Sequence, residues 1–214
     1  MTFLRLLGAF AVSLCLLAPS TGSAQSFDAL LKAVNQGDVQ TVGALLDRGL
    51  DPNSADADGN TVLMLAARLG NQELVSALIS RKASVTRRSP HGDTALMFAS
   101  LKGHLAIARL LVENGAEISH PGWAPLHYAV FEGRAEVVKY LIDKGADKNG
   151  LAPNGYSPLM LAARNGQLEA ARALLYEDVS LIIQGPRGET ALGIVKERKN
   201  KELEGLLRRA GAVD

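Results

Sequence analysis

Histidines and carboxylates are the side chains of this sequence that could perform acid–base chemistry. A general base is a histidine held by a partner group inside a pocket, and His120 with Asp147 is a candidate for such a pair. No feature of the sequence indicates a cleft around these two residues. The histidines are also not arranged as zinc ligands on one helix, and the mature chain predicted below offers no cysteine to complete such a site. The four histidines are His91, His104, His120 and His127.

Phosphate-binding loops and covalent nucleophiles have sequence patterns that we did not find. There is no GxxxxGK[ST] segment and no GxGxxG segment after a strand, although the chain has 21 glycines. No nucleophile stands with a base and an orienting group. The basic pairs Arg87-Arg88 and Arg208-Arg209 are short and more typical of a solvated surface than of a phosphate site. We therefore predict a protein that is not an enzyme and that has no cofactor and no metal site.

The first 24 residues have the pattern of a secretory signal peptide. Arg5 supplies a positive charge, Leu6–Leu17 form an apolar run, and Gly22-Ser23-Ala24 end a segment of small residues. The predicted cut lies between Ala24 and Gln25. An uncleaved membrane anchor is the alternative, but the run is shorter than the roughly 20 residues that span a bilayer. We expect a periplasmic or secreted protein with no membrane contact after cleavage.

The charge of the predicted mature chain limits its partners. Removing Arg5 from 23 basic residues leaves 22, which equals the 22 acidic residues. A domain that binds nucleic acid generally needs a basic face, so we predict no nucleic-acid partner. The lone cysteine, Cys15, lies within the apolar run, so the mature chain can form no disulfide. Its stability must come from packing.

One segment, 123–149, predicts a complete pair of short helices. Pro125 suits the first position of a helix, and Gly133 suits its end because glycine adopts the left-handed conformation without a Cβ clash. Val137 and Leu141 share the apolar face of a second helix, which Gly145 ends. Two helices this short cannot bury their apolar faces alone, so they need similar neighbours.

The neighbours are indicated by a repeat along the chain. Glycines that end first helices are Gly37, Gly70, Gly103, Gly133 and Gly166, in steps of 33, 33, 30 and 33 residues. The residue after each second helix keeps the same steps at Leu50, Ala83, Ala116, Ala146, Val179 and Ala212. This period predicts an all-α stack in which each unit contacts the units before and after it. The predicted domains are a signal peptide, 1–24, and one repeat domain, 25–214, with units 26–53, 56–86, 87–119, 120–150, 151–182 and 184–213.

The starts of three first helices and the nature of the last unit are also predicted. Asp28, Thr61 and Ser157 are placed to start first helices by accepting hydrogen bonds from free backbone N–H groups. The last unit has charged residues where earlier units have apolar ones, which is typical of a solvated outer cap. These charged residues are Lys196, Glu204 and Arg208.

The chain resembles the ankyrin-repeat family, whose signature is TPLHxAA. Ala124-Pro125-Leu126-His127-Tyr128-Ala129 is the best copy, and TVLMLAA, TALMFAS and SPLMLAA are looser ones. The resemblance implies a solenoid of stacked helix-turn-helix units with β-turn finger loops. It also implies that His127 hydrogen-bonds neighbouring loops, and that turn tips and first-helix surfaces line a concave groove that binds another protein.

Matching positions in this chain give the predicted partner-binding residues. Three aromatic residues, Trp123, Phe131 and Tyr156, are predicted to be exposed at neighbouring positions, and interface centres favour aromatic residues. Two interpretations of Trp123 stay open: it anchors a partner, or it packs over a loop that is three residues shorter than its counterparts. The full predicted set is Trp123, Phe131, Tyr156, Arg68, Lys102, Arg164, His91 and Asp93.

Together these features predict a monomeric scaffold, exported to the periplasm of a bacterium, that binds another protein through the groove. Two alternatives remain: an exported effector that mimics host ankyrin proteins, and a protective or assembly factor for a periplasmic enzyme.

Overall fold

The computed structural model describes the backbone from Thr21 and the side chains from Ser26 to Asp214. These residues form α-helices and connecting turns, with one isolated bridge between Ala55 and Thr61. The helices are α1 (Thr21–Gln36), α2 (Val39–Asp47), α3 (Val62–Leu69), α4 (Gln72–Ser80), α5 (Ala95–Lys102), α6 (Leu105–Glu113), α7 (Pro125–Phe131), α8 (Ala135–Asp143), α9 (Pro158–Asn165), α10 (Leu168–Leu175), α11 (Ala191–Glu197) and α12 (Lys201–Arg209). The predicted all-α fold class is confirmed.

Hydroxyl side chains start the first helix of most pairs. Thr61 accepts a hydrogen bond from the backbone N–H of Met64 at 3.2 Å, and Ser157 accepts one from that of Met160 at 3.3 Å. Each bond satisfies an N–H that has no partner within its own helix. Pro158 follows as the first helical residue, where its missing N–H costs nothing. The predicted starts at Thr61 and Ser157 are thereby confirmed.

A left-handed residue ends each helix of a pair, as the glycine spacing predicted. The five glycines that end first helices have φ values between +69° and +81°. The sixth pair has Lys199 at the same position, with a φ of +58°. In the second helices the corresponding residue is a glycine in four pairs, but Lys82 and Asp178 adopt φ values of +70° and +52°. The left-handed conformation at these helix ends therefore depends on the packing of the stack and not on glycine alone, because it forms even where the sequence has no glycine.

The helices stack in two layers. In the inner layer α1, α3, α5, α7, α9 and α11 contact one another in order, and α2, α4, α6, α8, α10 and α12 do so in the outer layer. The facing surfaces are lined by small residues: Ala66, Ala99, Ala129 and Ala162 are fully buried at equivalent positions of consecutive inner helices. Small side chains let neighbouring helices approach closely, so the apolar core runs continuously along the stack.

Polar side chains tie each pair to the preceding one. The residue just before an outer helix donates a side-chain hydrogen bond to a backbone carbonyl. This carbonyl lies at the end of the inner helix of the preceding pair. The bonds are Asn71 Nδ2 to Gly37 O (3.2 Å), His104 Nε2 to Arg68 O (3.4 Å), Arg134 Nε to Leu101 O (3.2 Å) and Gln167 Nε2 to Phe131 O (3.0 Å). The donors recur at the repeat spacing, so consecutive pairs are joined in the same way and carbonyls at the helix ends gain partners.

The turns before the inner helices also stack. A Cβ added to Gly59 would collide with the Pro90 ring, and one added to Gly155 would collide with the ring of Pro186. A Cβ on Gly92 would meet no atom within 4 Å. Gly92 faces the turn that the sequence showed to be three residues shorter than its counterparts. The missing residues therefore leave open space, while the inner helices on either side, α5 and α7, remain in contact.

Two features of the amino terminus differ from the sequence-based expectations or fall outside them. Asp28 was expected to start the first helix, but α1 begins at Thr21 and Asp28 is an exposed residue within it. Most of the predicted signal peptide, residues 1–20 with Arg5 and Cys15, lies outside the described residues. In the part that is described, none of the helices has the length and apolar character needed to cross a bilayer.

Candidate functional site

His127 has a structural role, as the family signature implied. The backbone N–H of Ala124 donates to Nδ1 at 3.0 Å, so Nε2 carries the proton and donates to the Gly150 carbonyl at 2.9 Å. The side chain is only 3% exposed. Burial lowers the pKa of His127, an effect that the bond to Gly150 partly offsets. A neutral, buried ring with both nitrogens engaged joins two turns of the stack and is not placed for catalysis.

The considered pair of His120 and Asp147 lines one cavity of about 290 Å³. His120 Nδ1 lies 2.9 Å from the Pro121 carbonyl, and Asp147 accepts from the backbone N–H of Asn149. Within residues 26–214 no hydrogen bond joins the two side chains, and His120 Nε2 is buried without a partner. The carboxylate therefore does not orient the imidazole, as a general base would require. Over the same residues no group of three His, Cys, Asp or Glu side chains could hold a metal ion.

The repeat brings the predicted partner-binding residues to one surface, which we call the groove face. It is formed by the exposed sides of α3, α5, α7, α9 and α11 together with the turns that precede them. Two sets of predicted residues meet there. Trp123, His91 and Asp93 line a cavity of about 210 Å³ beside the shortened turn. Tyr156 and Arg164 line a larger one, further along the stack.

Trp123 is half-buried, not exposed as the sequence suggested. Its ring meets that of His127 edge-on, with the ring centres 5.9 Å apart, and lies at the same distance from Tyr128 in a tilted arrangement. Tyr128 in turn donates a 2.5 Å hydrogen bond to Asp93 of the preceding unit. Burial, and then the carboxylate of Asp93, raise the pKa of Tyr128. Trp123 therefore packs on the start of α7 while one side of it borders the open cavity, and its two interpretations both stay predictions.

Tyr156 is also half-buried, because it is held between two units. Its hydroxyl donates to Glu189 at 2.8 Å, and the guanidinium of Arg164 lies 5.3 Å from the centre of its ring. Hydrogen bonds, first from its own backbone N–H and then from Tyr156 and Arg187, lower the pKa of Glu189 to about 2. Glu189 is therefore ionised at physiological pH.

The remaining predicted residues are exposed on inner helices. Phe131 is 46% exposed, at the end of α7. Arg68 lies with its guanidinium 5.7 Å from the centre of the Phe98 ring. Lys102, at the end of α5, borders a small surface depression between α5 and α8. These three side chains lie outside both cavities, so the aromatic residues expected to form one centre are distributed along the groove face.

The larger cavity includes residues that the sequence reasoning missed. It has a volume of about 570 Å³ and is lined by Tyr156, Arg164, Arg187, Ile194, Glu197 and Arg198. Glu197 and Arg198 follow Arg164 and Asn165 by 33 residues. Extending the repeat by one more step would have placed both on the groove face, but the sixth unit was interpreted only as a solvated end.

Comparisons with known proteins agree with this architecture. A sequence model of the family described as ankyrin repeats (3 copies) matches residues 30–122 and 119–184. The chain belongs to the ankyrin-repeat family. Ankyrin repeats are non-enzymatic modules that bind other proteins.

Individual relatives match this chain over part of their length. A putative ankyrin repeat-containing protein of Treponema pallidum (strain Nichols) is 38% identical over 92 residues, which are 42% of this chain and 31% of that protein. Human ankyrin repeat and SOCS box protein 3 is 45% identical over 49 residues, 23% of this chain and 10% of that protein. The crystal structure of the human ASB11 ankyrin repeat domain superposes with a TM-score of 0.80 at 26% identity, covering 86% of this chain and 84% of that one. The chain thus spans less than a third of the length of the Treponema pallidum protein and of human ankyrin repeat and SOCS box protein 3.

Proposed function

We propose that this chain is an exported, monomeric scaffold that binds a partner protein through the groove face. The observation that carries the proposal is Phe131, a large aromatic side chain that is 46% exposed among residues equivalent to partner-binding positions of ankyrin repeats. The same groove face carries three exposed cations on other inner helices, Arg68 on α3, Lys102 on α5 and Arg164 on α9. Aromatic anchors surrounded by polar side chains are typical of protein interfaces.

Partner capture tests the proposal. The purified chain is immobilised, exposed to periplasmic extract of the source cell, and the retained proteins are identified by mass spectrometry. Phe131→Ala should weaken retention of a specific partner by about tenfold or more, because interface aromatics often dominate binding energy. Trp123→Ala should also weaken retention of the partner. The melting temperature of this variant must be measured as well, because Trp123 packs on His127 and Tyr128.

Tyr176→Ala provides the matched control. Tyr176 is 88% exposed at the end of α10, outside the groove face, so its removal should leave retention unchanged. Equal losses for Phe131→Ala and Tyr176→Ala would show that exposed aromatics bind non-specifically, and the groove face would not be the binding surface.

Export is supported by the pattern of Arg5, the apolar run and Ala24. When the full chain is expressed in a Gram-negative host, the mass of the product should correspond to a chain starting at Gln25. Ala24→Arg should block removal of the signal peptide, because the cleavage site requires a small residue at this position. A full-length product in the cytoplasm for both proteins would contradict export. Recovery in the medium, instead of the periplasm, would favour the effector alternative over the scaffold or an assembly factor.

A further inference from the structure

The geometry points to the cavity between α9 and α11 as a binding site for the glutamate or aspartate side chains of an acidic segment in the partner protein. This inference rests on the proposed function and adds the chemistry of the partner. The cavity opens on the groove face, has a volume of about 570 Å³, and is lined by three arginines, one glutamate, one tyrosine and one isoleucine.

Arg164 is held in place but is not neutralised. Its guanidinium lies over the Tyr156 ring, and that ring is fixed by the hydrogen bond from its hydroxyl to Glu189. Stacking leaves the edge of a guanidinium free, and this edge carries the N–H groups that bind a carboxylate through two parallel hydrogen bonds. Within residues 26–214, Arg164 forms no ion pair.

The two carboxylates around the cavity are both engaged by Arg187. Its Nε lies 3.3 Å from Glu189 Oε1, and its Nη2 lies 3.6 Å from Glu197 Oε2. Arg187 therefore shares its charge between two glutamates. Arg198 is exposed and, like Arg164, forms no ion pair among the described residues. The cavity consequently presents two cations that lack an anion of their own.

The nearby glutamates favour a carboxylate over a phosphate as the occupant. A phosphoryl group carries nearly two negative charges at neutral pH, whereas a carboxylate carries one. The three arginines of the cavity stand against two glutamates, Glu197 in the wall and Glu189 beside it, so the site has one excess positive charge. One carboxylate balances that charge, whereas a phosphoryl dianion would leave the site with an excess negative charge.

A peptide-binding measurement tests the inference directly. The probe is a short rhodamine-labelled peptide of glutamate and serine, acetylated and amidated so that it has no terminal charge, and its binding is followed by fluorescence anisotropy. It should bind the full chain at least about tenfold more tightly than the same peptide with glutamine in place of glutamate. Affinity should fall when the ionic strength rises from about 0.05 M to about 0.5 M, because the cations are exposed.

Variants locate the site. Arg164→Gln and Arg198→Gln should each weaken binding of the glutamate peptide by about fivefold or more, and the double variant should bind it no better than the glutamine peptide. Arg164→Lys keeps the charge but loses the planar pair of donors, so it should be intermediate. The matched control is Arg172→Gln, which removes an arginine on α10 that pairs with Glu169 at 3.4 Å and should leave affinity unchanged.

Four results would overturn the inference. They are equal binding of the glutamate and glutamine peptides, an equal loss for Arg172→Gln, tighter binding of a phosphoserine peptide with the same arginine dependence, and binding of an uncapped glutamate peptide but not of the capped one. The capture experiment separates this inference from the proposed function. If Phe131→Ala abolishes partner retention while the Arg164 and Arg198 variants retain the partner fully, the scaffold function stands and the acidic site is wrong. If the peptide binds as described but no partner is captured, the site stands and the scaffold function is wrong.

Discussion

At the scale of single residues, His127 differs from its counterparts in the other pairs. Three inner helices have methionine at the equivalent position: Met64, Met97 and Met160. In α3 the sulfur of Met64 accepts from the Thr61 backbone N–H at 3.3 Å, which replaces the bond that His127 makes to Ala124. Methionine has no donor to replace the bond to the Gly150 carbonyl. His127 thus adds a link to the next turn that the methionines cannot form.

This difference allows the link to be measured. His127→Met should destabilise the chain by about 1 kcal/mol at neutral pH, because one partly buried carbonyl loses its donor. His127→Ala should cost about 3 kcal/mol or more, since it also leaves a buried N–H unpaired and opens a cavity. Urea denaturation followed by circular dichroism gives both values. Equal costs for the two variants would mean that neither the unpaired N–H of Ala124 nor the cavity destabilises the chain.

The burial of His127 also predicts that the stability of the folded chain depends on pH. Burial lowers the pKa of His127 below its ordinary value of 6.5, so the unfolded chain binds more protons than the folded chain between the two pKa values. The stabilisation from the neutral ring is therefore complete above about pH 6.5, declines as the pH falls, and is gone below the folded-state pKa. The cost of His127→Met should be smaller at about pH 5 than at about pH 7.5. A cost independent of pH would contradict the neutral, buried ring.

At the scale of elements, the turns before the inner helices offer a matched pair of glycines. Gly59 and Gly92 both have positive φ, at +77° and +87°, but only Gly59 lies against a proline of the next turn. Gly92→Ala should cost about 1–2 kcal/mol, the penalty for a side chain in the left-handed region. Gly59→Ala should cost about 1–3 kcal/mol more, because the new methyl group displaces Pro90. Thermal melts compare the two, and equal costs would show that the turns do not pack on each other.

Much of the element structure could be predicted from the sequence because its causes are local. A hydroxyl before an apolar stripe starts a helix, and Thr61 and Ser157 do so here. Asp28 failed as a start because neighbouring residues continue the helix upstream to Thr21. The half-buried states of Trp123 and Tyr156 could not be predicted, since they depend on contacts such as that between Tyr156 and Glu189, 33 residues away. Spacing places a residue on a face, but distant partners decide the orientation of its side chain.

At the scale of the whole molecule, stability depends on unbroken contact between neighbouring pairs. Ala66 in α3 and Ala162 in α9 are both fully buried between helices. Ala66→Asp or Ala162→Asp should destabilise the chain by about 3–5 kcal/mol, because each buries an unpaired charge. Hydrogen exchange should show the largest loss of protection in the altered pair and its immediate neighbours.

Ala106→Asp is the control for these substitutions. Ala106 is exposed near the start of α6, where a negative charge is tolerated or slightly favourable. Its melting temperature should stay within a few degrees of that of the unaltered chain. An unchanged melting temperature for Ala66→Asp would contradict the close stacking of the inner helices.

The shortened turn between Ala116 and Trp123 has a practical consequence for protein engineering. α5 and α7 remain in contact although three residues are missing between their units, so the register of the stack does not depend on the length of this connection. Loop closure becomes only slightly less favourable as a loop lengthens, and the space facing Gly92 is open. A foreign epitope or reporter peptide inserted after Pro121 should therefore be displayed on the surface without disturbing the helices on either side.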